Sequence, residues 1–595
     1  MSIWMLRSTD ADLPLMSKTL GISETAALIM ANRGVRSKKT CQRFMHPDLR
    51  LLGDAHAMKD MAKACEMLEQ SLSDKEKIAV FGDFDVDGVM STVILIKLLR
   101  ECGADAEFLI PMRSENGYGL SDDMIKAIVS MGAKLLICCD NGIAAREEIL
   151  EAKRLGIKTI VIDHHEPNFI EDENGARTDL IPEADCVIDP KQQSCGYPFK
   201  QFCAAGLSFR FAEAFCSLIG RNFLAREECL VFAAVATVCD IVPLLEENRI
   251  LVKSGLDVLN RCKQINAGLW HLMLEKKISD KKLSVFDIGF LLGPCINASG
   301  RLSSAQNAVK LFLTEDTRKA AELARALSEL NETRKEMTEL AVDKAMDRIF
   351  SDEASEIDKV VVIYDESINE SIAGIVAGRI KEALSRPVVV LTKGEKHVKG
   401  SARSIEGYSI FDALNKNRDL FVRFGGHAMA AGVTLEEKSV EPLRIRLNAD
   451  CPLCEDDFKT TLYIDKLFEL PEATLELAEE IASLAPFGKG NPEPMFQAKA
   501  LRPESIRMIE DKNMMILTFP VASCRKIRAV CFRKNDVFRV QIEELFSQAE
   551  CENIFAGNFM NAPFKMDIVC TIEVNSYRNI VSAQLGIKDF RIRKG

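Results

Sequence analysis

The stretch Lys77 to Thr92, KIAVFGDFDVDGVMST, restricts the fold more than any other part of the chain. A short apolar run, KIAVF, ends in aspartates at alternate positions, Asp83, Asp85 and Asp87. It passes through Gly88 into STVILIKLLREC, where apolar residues recur at helical spacing. The pattern repeats: KLLICC leads to Asp140 and the charged amphipathic stretch AAREEILEAKRLG, and KTIVI leads to Asp163, His164 and His165. Short buried strands alternating with helices predict a parallel sheet with helices on its faces. Ligands of such sheets gather at the carboxyl ends of the strands, near the point where strand order reverses. The acids stand at those ends.

A single Asp after a strand is commonly a helix cap or a turn former. Several converging on one sheet edge are different, because like charges repel unless cations or strong donors offset them. The apolar helical pattern ECLVFAAVATVCDIVPL ends in Asp240 and adds an acid from another element. Carboxylates with one or two imidazoles and no thiolate suit Mn²⁺ or Mg²⁺ better than structural zinc. Aspartates able to bridge point to two ions, and paired ions ~3.5 to 4 Å apart clamp a phosphoryl group. The implied chemistry is hydrolysis of a phosphoester or phosphoanhydride.

A chain of 595 residues exceeds what one core supports. EDTRKAAELARALSELNETRKEMTELAVDKAMDRIF lacks proline and glycine, spaces Leu323, Leu327, Leu330 and Met337 along one side, and predicts a single helix of roughly 50 Å. Beyond residue 455, TTLYI, NMMILTF, KIRAVCF, MDIVCTIEV and IVSAQLGIKDFRI predict a small barrel of the OB type. Such barrels hold single strands with a basic groove and stacking aromatics, for which Arg525, Lys526, Arg528, Arg533 and Lys534, with Phe519, Phe532 and Tyr577, are the candidates. The net charge of -11 argues by itself against nucleic acid, but metal-binding carboxylates contribute negative charge that bound cations cancel locally. Charged residues at 28% and the absence of a long apolar run exclude a helical membrane protein. The start carries no export signal, and many cysteines sit in apolar runs as reduced thiols do, so a cytoplasmic location is expected. Cys451-x-x-Cys454 has no second pair nearby and reads as incidental.

GDFDVDG, DNGI and the triplet Asp163-His164-His165 resemble, in order and setting, the motifs of the DHH phosphoesterase superfamily. RSENGYGLSDD, DPKQQSCGYPFKQFCAAGLSF, NASGRLSSAQNAVKLF, GSARSIEGYSIFDAL, FGGHAMAAG and LAPFGKGNPEPMF are similar to its RecJ branch. The resemblance implies an N-terminal segment (1–60), a parallel-sheet α/β DHH domain (61–315) and a connecting helix (316–350). A smaller α/β domain of the DHHA1 type (351–450) and an OB-like β-barrel (455–595) follow. It further implies a single-strand-specific 5′-3′ DNA exonuclease of repair and recombination, dependent on two Mn²⁺ or Mg²⁺ ions. The enzyme would be a monomer acting on single-stranded DNA, with a single-strand-binding protein and a helicase as partners and no membrane.

Carried over by position, the resemblance makes Asp85, Asp87, Asp140, His164 and Asp240 metal ligands, with Asp140 as the bridge. Many superfamily members begin the first motif with a His ligand. Phe81 stands there in this chain, and Asp83 is left to compensate. His165 is placed to contact the scissile phosphate. Substrate contacts fall to Arg113, Tyr118 and Arg301, and in the second domain to Ser401, Arg403, Gly425, Gly426 and His427. Glycines there let backbone approach a phosphate, and His427 can donate to an oxygen. DESINESIAGIVAGR departs from the family's usual His and Gly before GIVA, which leaves Glu370 to Ile372 unassigned. Two other readings fit the same centre. A phosphodiesterase of very short oligonucleotides or cyclic dinucleotides would need no third domain, and a metal-free scaffold would have eroded ligands, which apart from Phe81 are intact.

Overall fold

The structure is a computed structural model that describes residues 2–111, 119–172, 175–351, 357–522, 525–557, 559, 561–578 and 580–595, without the side chains of Ala522 and Tyr577. The chain divides into two compact units. One comprises Leu49–Val242 with Glu247–Lys459; the other joins Met1–Asp48, Pro243–Glu246 and Thr460–Gly595.

The larger unit is built on two sheets. In the first, all strands run parallel in the order Ala106–Leu109, Ile78–Gly82, Leu135–Cys139, Lys158–Ile162, Cys186–Ile188. Every residue of Ile78–Gly82 and Leu135–Cys139 is buried, which is why these runs are apolar throughout rather than alternating. Numbered along the chain, the strand order is 2-1-3-4-5, which reverses between Ile78–Gly82 and Leu135–Cys139. A switch point at that position opens a crevice at the strands' carboxyl ends. Asp83 and Asp140 are the next residues of those two strands.

The second sheet runs Phe421–His427, Ala430–Leu435, Val398–Arg403, Val388–Lys393, Val361–Tyr364, with only the last pair parallel. One face packs Val389, Leu391, Ala402, Val433 and Leu435 against Ile410, Leu414, Leu443 and Leu447. The other face is covered over Val361, Ile363, Val388 and Val390 by the helix Ala373–Leu384. A helix of 34 residues, Thr317–Phe350, is capped by Asp316, whose carboxylate accepts from the N–H groups of Arg318 and Lys319. Ala320, Ala324 and Leu327 are buried toward its start, near the helices Ala267–Glu275 and Gly293–Leu302. Ala341 and Ala345 are buried toward its end, near Ala373–Leu384.

In the smaller unit a seven-stranded mixed sheet forms the OB-like part, with the antiparallel hairpin Phe564–Tyr577 and Ile580–Lys594 at its middle. The sequence sets residues 1–60 apart as a segment, but Met1–Asp48 belongs to this unit. Ile3–Leu6 pairs in parallel with Thr461–Ile464. Ala26, Ile29, Met30, Cys41 and Phe44 share one core with Phe496, Phe519 and Phe538. Arg33 and Asp465, both almost fully buried, meet at 2.9 Å. The same core corrects part of the expected strand-binding set: Phe519 is fully buried and cannot stack on a base. Arg525 donates to the carbonyls of Pro471 and Ala473, Lys526 pairs with Glu504 at 2.6 Å and Lys534 with Asp589. Phe532 is 61% exposed, and Arg528 and Arg533 are exposed near it in the chain. The Tyr577 side chain lies outside the described residues. No described helix is long and apolar enough to cross a membrane.

Candidate metal centre and phosphate cradle

Three loops and one helix end bring the acids together. After Ile78–Gly82 the chain wraps so tightly that a Cβ on Gly88 would come within 2.5 Å of the Asp83 backbone, so only glycine fits. Asp85 caps the helix Val86–Glu101, its Oδ1 accepting from the N–H groups of Asp87 and Gly88 at 2.9 and 3.1 Å. It is thus both a helix cap and a member of the acidic group Asp83, Asp85, Asp140, which could hold a metal ion. The Asp87 carboxylate accepts from Ala204 and Ala205 N–H groups at 2.7 and 2.8 Å, the first turn of the helix Ala204–Leu218. Asp140 sits at φ 61°, left-handed backbone that costs energy in a non-glycine residue and marks a constrained site. Asp240 closes the helix Arg226–Cys239 as its C-cap.

His164 is the hub. Its Nε2 lies 3.2 Å from Asp140 Oδ1, 3.5 Å from Asp87 Oδ2 and 3.8 Å from Asp240 Oδ2. Asp163, from which the triplet takes its first letter, faces away and does positioning work. Its Oδ1 receives the N–H groups of His164 and His165 and lies 2.7 Å from His165 Nδ1, while Oδ2 accepts the Ile143 N–H at 2.9 Å. Burial opposes its charge, but these hydrogen bonds win and hold its carboxyl well below the usual range. Burial likewise opposes the His165 charge, and the bond to Asp163 outweighs it, lifting His165 to about 9. His165 is thus a cation beside the acids. Burial keeps His164 below its ordinary value despite those acids, in the neutral form that binds metal.

The acids are unstable as a bare set. Burial first, then the charges of Asp87, Asp85, Asp83 and Asp240, hold the Asp140 carboxyl well above its ordinary value. Burial with Asp87 and Asp85 lifts Asp240 to about 8, and burial lifts Asp87 against the pull of His164. Two further polar atoms, His164 Nδ1 and Asn141 Oδ1, are buried without a hydrogen-bond partner among the described residues. Three cysteines adjoin the site, Cys139, Cys203 and Cys239. Their sulfurs approach Thr92, Thr237 and the Ile288 carbonyl, burial drives all three thiols up, Cys139 to about 12, and none of the three joins a group that could hold a metal ion among the described residues. An oxygen-rich set with one neutral imidazole fits hard divalent cations.

The sign of a pH effect follows. In cation-free protein these carboxyls bind protons more tightly folded than unfolded, so stability falls as pH rises from about 4, the unfolded value, toward 8 and beyond. Thermal melts of EDTA-treated protein should show a lower Tm at pH 8 than at pH 5, with Mn²⁺ restoring it at pH 8. A Tm that rises over this interval without metal would contradict the assignment.

The second sheet carries the other predicted contacts. Ser401, Arg403, Gly425 and Gly426 line one groove of about 740 Å³ beside the helix Ala373–Leu384, whose Gly374 also lines it. His427 ends the strand that contributes the two glycines. Arg301 donates from Nη1 to the Ser371 carbonyl at 3.0 Å, which ties the helix Gly293–Leu302 to the segment that departs from the family pattern. Arg113 and Tyr118 lie outside the described residues. Sequence reasoning passed over Lys191, whose side chain is 18% exposed. Its ammonium stands 3.5 Å from Glu166 Oε1, and its charge is felt at His164 and Asp240. It also passed over Asn297, whose Oδ1 accepts the Val86 N–H at 3.1 Å and steadies the acidic loop.

Comparison with known proteins gives the family. The model of the DHH family, N-terminal domain, matches residues 77–237, that of the DHHA1 domain residues 358–449 and that of the RecJ OB domain residues 464–589. The chain is 33% identical to the single-stranded-DNA-specific exonuclease RecJ of Bacillus subtilis, covering 98% of this chain and 70% of that protein. With the Escherichia coli protein of the same name the figures are 31%, 85% and 88%. Among solved structures, RecJ from Thermus thermophilus in complex with Mn²⁺ superposes with a TM-score of 0.79 at 26% identity, covering 100% of this chain and 80% of that chain. An exonuclease RecJ bound to manganese gives 0.58 at 31% identity, covering 68% and 97%. Motifs, fold and kinship agree, and the chain belongs to the RecJ family of single-stranded-DNA-specific exonucleases.

Proposed function

We propose that the protein hydrolyses phosphodiester bonds of single-stranded DNA from the 5′ end, using two divalent cations, Mn²⁺ or Mg²⁺. The observation that carries this reading is the convergence of Asp83, Asp85, Asp87, Asp140 and Asp240 around one neutral imidazole at the switch point of a parallel sheet. Asp83, Asp85 and Asp140 would hold one ion and Asp87, His164 and Asp240 the other, with Asp140 reaching toward both groups. Bound ions would supply an activated water and neutralise charge on the phosphate. The chain's own residues do the rest. Asp163 fixes the His165 imidazole and the His164 backbone, and protonated His165 would donate to a phosphate oxygen. Ser401, Arg403 and His427 would grip the strand's phosphate, and the OB-like part its continuation. Family kinship supports a cytoplasmic role in repair and recombination, beside a single-strand-binding protein and a helicase.

His164→Ala and His427→Ala separate metal ligation from substrate contact. His164→Ala should lower bound Mn²⁺, measured by isothermal titration, along with turnover. His427→Ala should leave Mn²⁺ binding intact and cut turnover. Equal loss of metal in both variants would contradict the assignment.

A further inference from the structure

The register of the second sheet sorts its residues into rungs. Neighbours across adjacent strands share a face, as do positions two apart along one strand. Arg403, Ala430 and His427 form one rung, Ser401, Gly432 and Gly425 the next, and Lys399, Thr434 and Arg423 the one after. The first two rungs contain Ser401, Arg403, Gly425 and His427, four of the phosphate contacts proposed above. The third is assigned to nothing, yet Lys399, Arg423 and Thr434 line the same groove.

Two observations point to a ligand there. A Cβ added to Gly425 or Gly432 would meet nothing within 4 Å, and neither residue has a left-handed φ. Neither packing nor backbone conformation asks for glycine at the middle rung, so what glycine provides is open space above the floor. Arg423 is exposed and makes no ion pair among the described residues, while Lys399 meets only Glu370, at 3.0 Å and about half exposed. An exposed pair of that kind is weak, so the ammonium can be shared with a better anion.

We infer that Arg423, Lys399 and Thr434 form a second phosphate subsite for the next linkage of the bound strand, one rung beyond the Ser401 rung. The inference rests on the exonuclease reading and specifies its substrate as a strand with consecutive phosphates. Rungs two residues apart stand about 6.7 Å from each other, a distance that one nucleotide of an extended strand spans. The bare glycine floor lets the backbone cross between them. Glu370 is the one acid among the lining residues, against Lys399, Arg403 and Arg423, so the groove keeps a positive excess.

The test is binding of a 5′-phosphorylated, labelled oligodeoxynucleotide to the full chain in EDTA, by fluorescence anisotropy. A series carries a single neutral methylphosphonate at each of the first linkages in turn. In the wild type, one internal linkage should cost about tenfold in Kd when neutralised. Arg423→Gln with Lys399→Gln should cost about tenfold on the unmodified strand, lose little more on neutralising that linkage, and flatten the salt dependence by roughly 0.7 for each phosphate no longer neutralised. Arg423→Gln alone, on an exposed position, covers the case in which the double variant misfolds. Wild-type affinity in the variants, or a methylphosphonate penalty as large as in the wild type, would overturn the subsite. If this coupling holds while wild-type protein with Mn²⁺ hydrolyses no DNA, the exonuclease reading falls and the subsite stands.

Discussion

Asp140→Asn should lower kcat by about a thousandfold or more, ~4 kcal/mol of barrier, and leave the protein folded. Asp140 lies within reach of both acidic groups and 3.2 Å from His164 Nε2, so its amide replaces the one charge that both cations would share. The backbone will tolerate the change, because asparagine accepts the left-handed φ of 61° at least as well as aspartate does. Loss of a charge held well above its ordinary protonation range should also raise the Tm of the cation-free variant at pH 8 and shrink its pH dependence. Turnover is read on end-labelled single-stranded DNA with Mn²⁺, and stability by calorimetry in EDTA. Near-normal turnover in the variant would remove the two-ion reading.

A fragment spanning Leu49–Lys459 should cleave short oligonucleotides and hold long ones poorly. Every described member of the acidic centre and of the groove lies in the larger unit. Trimming the C-terminal part alone is the wrong cut, because Ala26, Met30 and Phe44 would lose the core they share with Phe496 and Phe538. With both ends removed, the strand loses stacking worth ~1 to 3 kcal/mol per base and the phosphate-binding groups of the OB-like part, so affinity for long strands should fall by orders of magnitude. The slope of log affinity against log salt should flatten by roughly 0.7 per phosphate released. Circular dichroism and bound Mn²⁺ must first match the full chain. A folded fragment that degrades long strands as well as the full chain, at every salt concentration, removes the smaller unit from strand binding.

The acidic centre was legible because its information is local. Each candidate ligand follows a short apolar run or ends an apolar helix, so periodicity alone locates the sheet edge, and the ordered motifs supplied the family that the comparisons then showed. What stayed hidden depends on register or on pairing across long separations. Phe519 and Phe532 look alike as strand aromatics, but one is buried in the core and the other exposed. Lys399 and Arg423 become neighbours only through Thr434, on a strand between theirs. Asp163 shows another limit: a conspicuous acid in the most diagnostic triplet turns its oxygens to backbone and imidazole rather than to the other acids.

The parallel pairing of Ile3–Leu6 with Thr461–Ile464 sets how late the smaller unit can be completed as the chain is made. At ribosomal speeds of about 5–20 residues per second, the first strand waits roughly 20 to 90 s for its partner to be synthesised. Over that interval the larger unit is completed and free to fold, while the helix Glu24–Ala31, nearly all of it destined for a core, has no core to enter. The apolar side of that helix therefore stays without its core until residues beyond Thr460 have been made.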